Sequence, residues 1–293
     1  PRCPCTSLAL TLTLAQAQVP VYIRGGKQRG ERPYLTLMLH ATAVHPRLTF
    51  DRPEVRNALH LPMNLEIRAA LKALTERGEA QVVIFTGAGD RAFVSGADIA
   101  ELRERKGPVA LARHNAELCD AIEACKLPTL AAINGFALGG GCEVALACDI
   151  RVAAENAKLG QPEVSLGIIP AAGGSIRLQR LLGPGIAREL IFTGRVIDAL
   201  EAARVGLVNH VVPQSQLMET TLEIAQEIVK NSANAVQLSK LVMNEGRSMG
   251  PEVGVQLEAL AQAVCYDDPE KYDRMGAFLD KREARRKARE GGQ

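Results

Sequence analysis

The chain carries almost no net charge, because 35 lysines and arginines stand against 33 aspartates and glutamates. We therefore expect no nucleic-acid partner, since phosphate backbones are bound by strongly basic surfaces. The one locally basic segment, 281–289, is interpreted as a solvated helix face. With 293 residues, 47% of them hydrophobic, the chain is long enough to bury a large core.

Long apolar runs are also lacking. The longest candidate, 8–23, is interrupted by threonine, glutamine and Pro20, so we expect no membrane span. The chain has seven cysteines, an odd number that cannot all pair in disulfides. Four of them lie in apolar helical runs: Cys119, Cys125, Cys142 and Cys148. This pattern favours reduced thiols and a cytoplasmic protein. No metal site is expected, because the pair at positions 3 and 5 has no matching Cys or His pair.

Several catalytic motifs are absent. The chain has no Walker phosphate loop, no H-E-x-x-H pair and no G-x-S-x-G elbow, and its five histidines are scattered. The segment 87–92 superficially matches the G-x-G-x-x-A dinucleotide fingerprint. That fingerprint requires a helix to open at the glycines, whereas in this chain another turn or strand edge follows, so we expect no Rossmann site.

Alternating strands and helices are predicted after an unmatched leader, 1–33, which we expect to be disordered. The sequence predicts a hairpin followed by three strands, and the first of these, 82–86, is a continuous apolar run typical of a strand buried on both faces. The predicted strands are 34–40, 46–50, 82–86, 129–134 and 150–153, and the predicted helices between them are 61–77, 99–106 and 109–126. From 213 onward only helices are predicted, at 217–230, 233–246, 251–266 and after Asp268. The chain therefore divides into an α/β core, 34–212, and a helical C-terminal region, 213–293.

Two glutamates follow unusual backbone segments. Glu143 comes after three glycines that open a predicted helix, 142–148, where bare N–H groups form an anion site. Glu163 follows Pro162 at the start of an apolar stretch, where a carboxyl group is poorly solvated and tends to keep its proton. Together they suggest an acid and a base. Simpler interpretations stay open: a glycine run that only permits close packing, a surface position for Glu143, and an ion pair between Glu163 and Lys158.

A second backbone device lies at 95–98, where a tight turn with Ser95 or Asp98 as helix cap exposes N–H groups. Two such devices, each beside a helix start, are able to aim two N–H donors at one oxygen and so form an oxyanion hole. The segment 171–175 supplies a further donor-rich helix entry, which either shapes the pocket or permits close packing.

With these motifs, the chain from Tyr34 onward resembles the enoyl-CoA hydratases of the crotonase superfamily. The resemblance rests on motifs spread along the chain, at 51–54, 57–59, 93–99, 133–143, 160–163 and 203–209. It implies an α/β crotonase-like fold of repeated ββα units, with an all-helical C-terminal region that forms a homotrimer or a dimer of trimers. Because this fold serves several reactions, the motifs are more specific for the superfamily than for the chemistry.

The resemblance also implies a function. The substrate would be an acyl-CoA thioester, with no cofactor beyond the coenzyme A that it carries, and Ala97 and Gly140 would form the oxyanion hole. Glu143 and Glu163 would add water to a trans-2-enoyl-CoA as in fatty-acid β-oxidation, with Glu143 as base and Glu163 as acid. The expected substrate-binding residues are Arg56, Ala58, Ser95, Gly96, Asp98, Ile99, Gly139, Phe278 and Lys281.

Alternative functions remain at this point. An enoyl-CoA isomerase or a hydratase for branched acyl chains would use the same fold, and a non-catalytic acyl-CoA-binding scaffold would need neither acid. The presence of both glutamates favours hydration.

Overall fold

The computed structural model describes residues 20–22, 35–38, 44–104, 106–107, 111 and 113–290. The chain divides after Val229 into two compact units. The first contains the sheets and both predicted acids, and the second, from Lys230, is helical. The predicted boundary lies earlier, at 213, because the helix Leu217–Val229 has a pattern like those that follow it; in the structure this helix packs on a sheet of the first unit.

Strands, helices and short 3-10 turns make up the described part of the chain. The strands are β1 Pro20–Tyr22, β2 Leu35–Met38, β3 Arg47–Phe50, β4 Val83–Gly87, β5 Ala92–Val94, β6 Thr129–Ile133, β7 Phe136–Leu138, β8 Ile150–Ala154, β9 Lys158–Gly160, β10 Val196–Asp198 and β11 His210–Val212. The first-unit helices are α1 Leu61–Arg77, α2 Ile99–Glu104, α3 His114–Glu123, α4 Gly140–Ala147, α5 Gly174–Leu182, α6 Pro184–Thr193, α7 Ala199–Arg204 and α8 Leu217–Val229. The second-unit helices are α9 Ala233–Gly246, α10 Pro251–Asp267 and α11 Pro269–Glu290. The 3-10 turns lie at Pro53–Val55, Pro162–Leu166 and Gln214–Gln216.

The larger sheet has the strand order β1-β2-β3-β4-β6-β8-β11 among the described residues. β2 and β3 form the predicted antiparallel hairpin, and β3, β4, β6, β8 and β11 run parallel. β4 and β6 are buried along their whole length, as expected for strands covered on both faces. The structure thus confirms the hairpin and the three strands that the sequence predicts.

Strand β1 corrects part of the predicted leader. The prediction of disorder over residues 1–33 is wrong for this segment, because β1 pairs antiparallel with β2 at the edge of the larger sheet. Val21 and Tyr22 favour extended backbone, and Pro20 is tolerated as the first residue of an edge strand. The rest of the predicted leader lies outside the described residues.

The second sheet is absent from the sequence-based prediction. It has the order β10-β9-β7-β5 among the described residues, and each strand is only three residues long. Three residues are too few to show an alternating hydrophobic pattern. β5 follows directly on the glycine segment after β4, so no helix opens there and the dinucleotide interpretation fails as expected.

Three predicted helices need corrected bounds. α1 has the predicted bounds, but α2 ends at Glu104 rather than at 106, and α3, predicted over 109–126, spans only His114–Glu123. α4 begins at Gly140, two residues before its predicted start, because Gly139 takes φ +51° and ψ −121° as its N-cap. Glycine adopts this backbone conformation at little cost. The last two residues of the glycine run therefore belong to the first turn of α4.

The main core lies between the two sheets and helices α1, α3 and α4. Phe50 packs edge-on against Phe93, with ring centroids 5.3 Å apart, and is stacked on Phe85 at 6.1 Å. α3 packs against α4, and α4 packs against α5. On the other face of the larger sheet, α8 buries Leu217 and Ala225 in a separate apolar cluster. Helix α4 is consequently held from several sides.

No helix within the described part of the chain is long and apolar enough to cross a membrane.

Close packing of α4 on β5 generates a first prediction. A Cβ on Gly141 would overlap the carbonyl oxygen of Val94, which is backbone and cannot rotate away. We expect Gly141→Ala to lower the free energy of unfolding by about 1–3 kcal/mol. The matched control is Gly185→Ala on α6, where a Cβ meets nothing within 4 Å; it should be neutral or stabilise by up to about 1 kcal/mol. Equal urea midpoints for the two variants would contradict this packing.

Candidate active site

The turn 95–98 exposes one backbone donor. Gly96 has φ +125°, its carbonyl accepts from Leu59 N at 2.8 Å, and Asp98 N donates to Leu59 O at 2.9 Å. Ala97 lies between these two bonds and forms an isolated parallel bridge with Leu59. The described residues provide no acceptor for the Ala97 N–H. A ligand oxygen is therefore free to accept from it.

The second donor is at the start of α4. Gly139 N donates to Gly160 O at 2.9 Å, whereas Gly140 N, as the first N–H of the helix, has no acceptor among the described residues. A Cβ on Gly140 would lie 3.5 Å from the nitrogen of Ala97, so the two segments are in contact. The two predicted oxyanion-hole donors thus come from adjacent segments.

Glu143 is buried in the first turn of α4, with 3% of its surface exposed. Its Oε1 accepts from Ala172 N at 2.7 Å and from Gly174 N at 2.8 Å. Burial raises the pKa of Glu143, while the bonds from Gly174 and Ala172 and the charge of Arg177 lower it. These bonds and the charge offset only part of the rise, so the pKa of Glu143 lies above its ordinary value. Because Oε1 accepts both N–H groups, a proton on Glu143 is carried by Oε2.

Glu163 is buried in the 3-10 turn Pro162–Leu166, and its side chain faces Gly139, the N-cap of α4. Its Oε1 would lie 2.8 Å from a Cβ on Gly139. Burial, opposed by a hydrogen bond from its own backbone and reinforced by the charge of Glu143, raises the pKa of Glu163 to about 7. Both acids thus have a raised pKa, and Glu143 differs from Glu163 in the two N–H donors from residues 172–174 that stabilise its ionised form. Glu163 keeps its proton up to about neutrality, as its apolar sequence context predicts.

Gln161 is fully buried beside Glu163. With its amide nitrogen toward Glu163, it donates to both carboxylate oxygens at 3.1 Å each. This orientation suits an ionised Glu163, whereas the opposite one places the amide oxygen to accept the proton of a protonated Glu163. The ion pair with Lys158 that the sequence left open is not found; Lys158 is exposed on β9, and Gln161 contacts Glu163 instead.

The other predicted substrate-binding residues of the first unit lie along two touching segments. Arg56 has φ +53° and places its guanidinium 5.7 Å from the ring centre of Phe136, and the backbone of Ser95 donates to Arg56 O at 3.1 Å. Ala58 is buried beside them, Ile99 is 58% exposed, and Asp98 accepts from Ala100 N at 3.1 Å as the predicted helix cap. Segments 56–59 and 95–99 thus form one edge next to the N–H groups of Ala97 and Gly140, for which the described residues provide no acceptor.

Phe278 and Lys281 lie on α11 of the second unit, and both side chains are exposed. Their predicted contact with substrate stays a prediction.

Sequence reasoning assigns no role to Ala172, Gly174, Gln161 or Arg177. The available signal is the glycine pair at 173–174, which by itself indicates only a donor-rich helix entry. A Cβ on Gly174 would lie 2.9 Å from Glu143 Oε1 and 2.7 Å from the amide of Gln161, so this segment packs directly on the acid. Its role is visible only once the chain is folded.

Comparison with known proteins is consistent with this geometry. The family model described as enoyl-CoA hydratase/isomerase matches residues 43–289. The chain belongs to the enoyl-CoA hydratase/isomerase family. It is 44% identical to a crotonyl-CoA hydratase of Syntrophomonas wolfei over 81% of this chain and 92% of that protein. It is also 44% identical to a short-chain-enoyl-CoA hydratase of Clostridium acetobutylicum over 80% and 91% of the respective chains.

Solved structures show the same family fold. The enoyl-CoA hydratase of Bacillus anthracis superposes with a TM-score of 0.81 at 39% identity, covering 85% of this chain and 96% of that one. Family membership and the crotonase-like fold, both expected from the motifs, are therefore confirmed. The roles of individual site residues stay predictions.

The raised pKa of Glu163 predicts a pH-dependent stability. An unfolded chain ionises this carboxyl near its ordinary pKa of 4.5, whereas the folded protein keeps the proton up to about 7. Folding is therefore favoured by this group below about pH 4.5, and that contribution is lost as pH rises to about 7. Relative to Glu163→Gln, the wild type should lose urea resistance between about pH 5 and 7.5.

The control for this measurement is Glu79→Gln, which removes an exposed carboxylate. A wild-type curve that runs parallel to that of Glu163→Gln over this pH range would show that Glu163 is ionised in the folded protein throughout.

Proposed function

We propose that this chain is an enoyl-CoA hydratase, a hydro-lyase that adds water across the 2,3 double bond of a trans-2-enoyl-CoA thioester. The observation that carries the proposal is the pair of buried glutamates, Glu143 and Glu163, near the start of α4. Beside them, the N–H groups of Ala97 and Gly140 have no acceptor among the described residues. An acyl-CoA scaffold would have no need to bury two acids, because burying ionisable groups is costly. Family membership supplies the reaction class.

Ala97 and Gly140 hold the thioester oxygen in this mechanism. When water attacks Cβ, negative charge moves onto that oxygen as an enolate, and the two N–H groups stabilise it. Removing one such donor in acyl-transfer enzymes costs on the order of 10²–10³ in kcat. The hole works because its donors are backbone groups that are already oriented and need not reorganise.

Glu143 and Glu163 divide the proton transfers. Glu143, whose carboxylate is stabilised by Ala172 and Gly174, takes a proton from the water as its oxygen bonds to Cβ. Glu163, protonated near neutrality, gives its proton to Cα, which yields the 3-hydroxyacyl thioester. Solvent exchange then returns the proton from Glu143 to Glu163. The two acids titrate as a coupled pair, so pH–rate curves report the pair.

Substrate and setting follow from the same proposal. Relatives named for crotonyl-CoA and short-chain enoyl-CoA support a short acyl chain. A role in fatty-acid β-oxidation is proposed from the reaction itself, hydration of a trans-2-enoyl-CoA. Coenzyme A would extend along Arg56 and Ala58, and no separate cofactor is needed.

A homotrimer or dimer of trimers is the proposed assembly. The second unit exposes apolar side chains on helices α10 and α11, among them Val255, Leu260 and Met275. Exposed apolar surface of this kind marks association sites. A cytoplasmic setting is proposed because the described cysteines are free thiols.

Activity is tested with crotonyl-CoA by following the loss of its conjugated enoyl absorbance. Glu143→Gln and Glu163→Gln should each lower kcat on the order of 10²–10⁴-fold, because each removes a positioned proton-transfer group. Glu79→Gln serves as the matched control and should keep full activity. An inactive wild type, or full activity in both site variants, would overturn the proposal. A 3-enoyl thioester that becomes conjugated without net hydration would instead indicate an isomerase.

The oxyanion hole is tested by Gly140→Pro against Gly140→Ala. Proline is tolerated at the first helical position, and it replaces the N–H in question with a ring carbon. Both variants add a Cβ, whose nearest neighbours lie at ordinary contact distances of 3.4–3.5 Å. The proline variant should be slower than the alanine variant by about 10²–10³ in kcat. Equal rates would show that Gly140 N does not hold the thioester oxygen.

A further inference from the structure

Arg177 of α5 is an arginine in the interior of the first unit, with 9% of its side chain exposed. Its Nε and Nη2 donate to Glu123 Oε2 at 3.0 and 2.6 Å, and Nη2 also donates to Asp120 Oδ1 at 2.9 Å. Both acids lie on α3, one turn apart. The guanidinium is therefore fixed by helix α3, and a planar fork of this kind loses little freedom when it is so held.

The remaining arm of the guanidinium points at the segment that holds Glu143. Arg177 Nη1 donates to Ala172 O at 2.9 Å, while the N–H of the same residue, Ala172, donates to Glu143 Oε1 at 2.7 Å. Gly173 lies so close to Arg177 Nη1 that a Cβ there would overlap it. The next residue, Gly174, supplies the second N–H to Glu143. A single loop residue, Ala172, thus links Arg177 to Glu143, because its carbonyl accepts from the arginine and its N–H donates to the acid.

Charged and titratable groups surround Arg177 and Glu143. α3 contributes Asp120, Glu123 and the thiol of Cys119, and Arg113 pairs with Asp120 at 3.2 Å. Around Glu143 itself lie Arg177, Glu163 and the thiols of Cys119 and Cys142.

Burial raises the pKa of both thiols, in the case of Cys142 to about 12, so neither titrates near neutrality. Among the described residues, Arg177 is the positive charge that lowers the pKa of Glu143.

We propose that Arg177 is a positioning residue for hydration: anchored on Asp120 and Glu123, it clamps the Ala172–Gly174 loop so that two N–H groups stabilise the carboxylate of Glu143 and aim it at the water. This inference rests on the proposed function. A purely structural role, in which the ion pairs only tie α5 to α3, predicts lost stability without any effect on how Glu143 titrates.

The test compares Arg177→Met with Arg177→Lys on crotonyl-CoA. The methionine variant should lose kcat on the order of 10- to 100-fold, as for a misplaced catalytic group, with KM changed by less than about 3-fold. Its acid limb in the kcat–pH profile should move to higher pH, because Glu143 loses both a charge and ordered donors. Lysine keeps the charge without the fork, so it should restore the pH limb but not the full rate.

The matched control is Arg195→Met, since Arg195 makes a two-point ion pair with Glu201, at 3.0 and 2.9 Å, in the same unit. It should lower stability without moving the pH limb. A further measurement places Arg177→Met in the Glu143→Gln background, where it should cause little additional loss of rate. Losses that multiply, or an unmoved pH limb, would overturn the proposal.

Two further measurements cover a variant that does not fold and a wild type that is inactive. If Arg177→Met does not fold, Glu123→Gln removes the charge of one of the two anchors while retaining the arginine, and its pH limb is measured in the same way. If the wild type itself is inactive, the proposed function fails separately, and the titration of Glu143 is followed in substrate-free protein by carboxyl carbon NMR. An unchanged Glu143 titration in Arg177→Met would then exclude the clamp.

Discussion

A carboxylate removed from water must be compensated by hydrogen-bond donors, and the burial of Glu143 is the constraint on which this site depends. The compensation comes from two backbone N–H groups of the loop 172–174. That loop is in turn held by the guanidinium of Arg177, and Arg177 by two acids of α3. Charge burial at one residue therefore organises three helices and the loop between them.

The second constraint is close approach of backbone to backbone. Gly141 rests on the carbonyl of Val94, and this contact brings the start of α4 against the strand that leads into the turn at Ala97. The parallel bridge between Leu59 and Ala97 holds that turn from its other side. The donors of Ala97 and Gly140 are thereby adjacent without any side chain to position them. Such preorganised dipoles need no rearrangement as charge develops on a substrate oxygen.

Fold prediction succeeded where the hydrophobic pattern was long enough to show its period. Helix α1 has the predicted bounds, and strands β4, β6 and β8 appear where continuous apolar runs end at turn residues. The second sheet escaped, because three-residue strands such as β7 and β9 carry no readable period. Helix α8 was grouped with the C-terminal helices, since its amphipathic pattern does not tell which surface it covers.

At the site, the amino-acid sequence by itself determined the chemical parts: two glutamates, each beside a helix or turn start, and glycines that leave N–H groups bare. It also indicated that Glu163 would hold a proton, because an apolar stretch follows it. Only the tertiary structure decided which acid receives two N–H donors from a distant loop. That choice depends on donors from residues 172–174 and on Arg177, all distant from Glu143 along the chain, whose approach to that acid is set by helix packing. A pKa reflects the full surroundings of a group, and those surroundings exist only after folding.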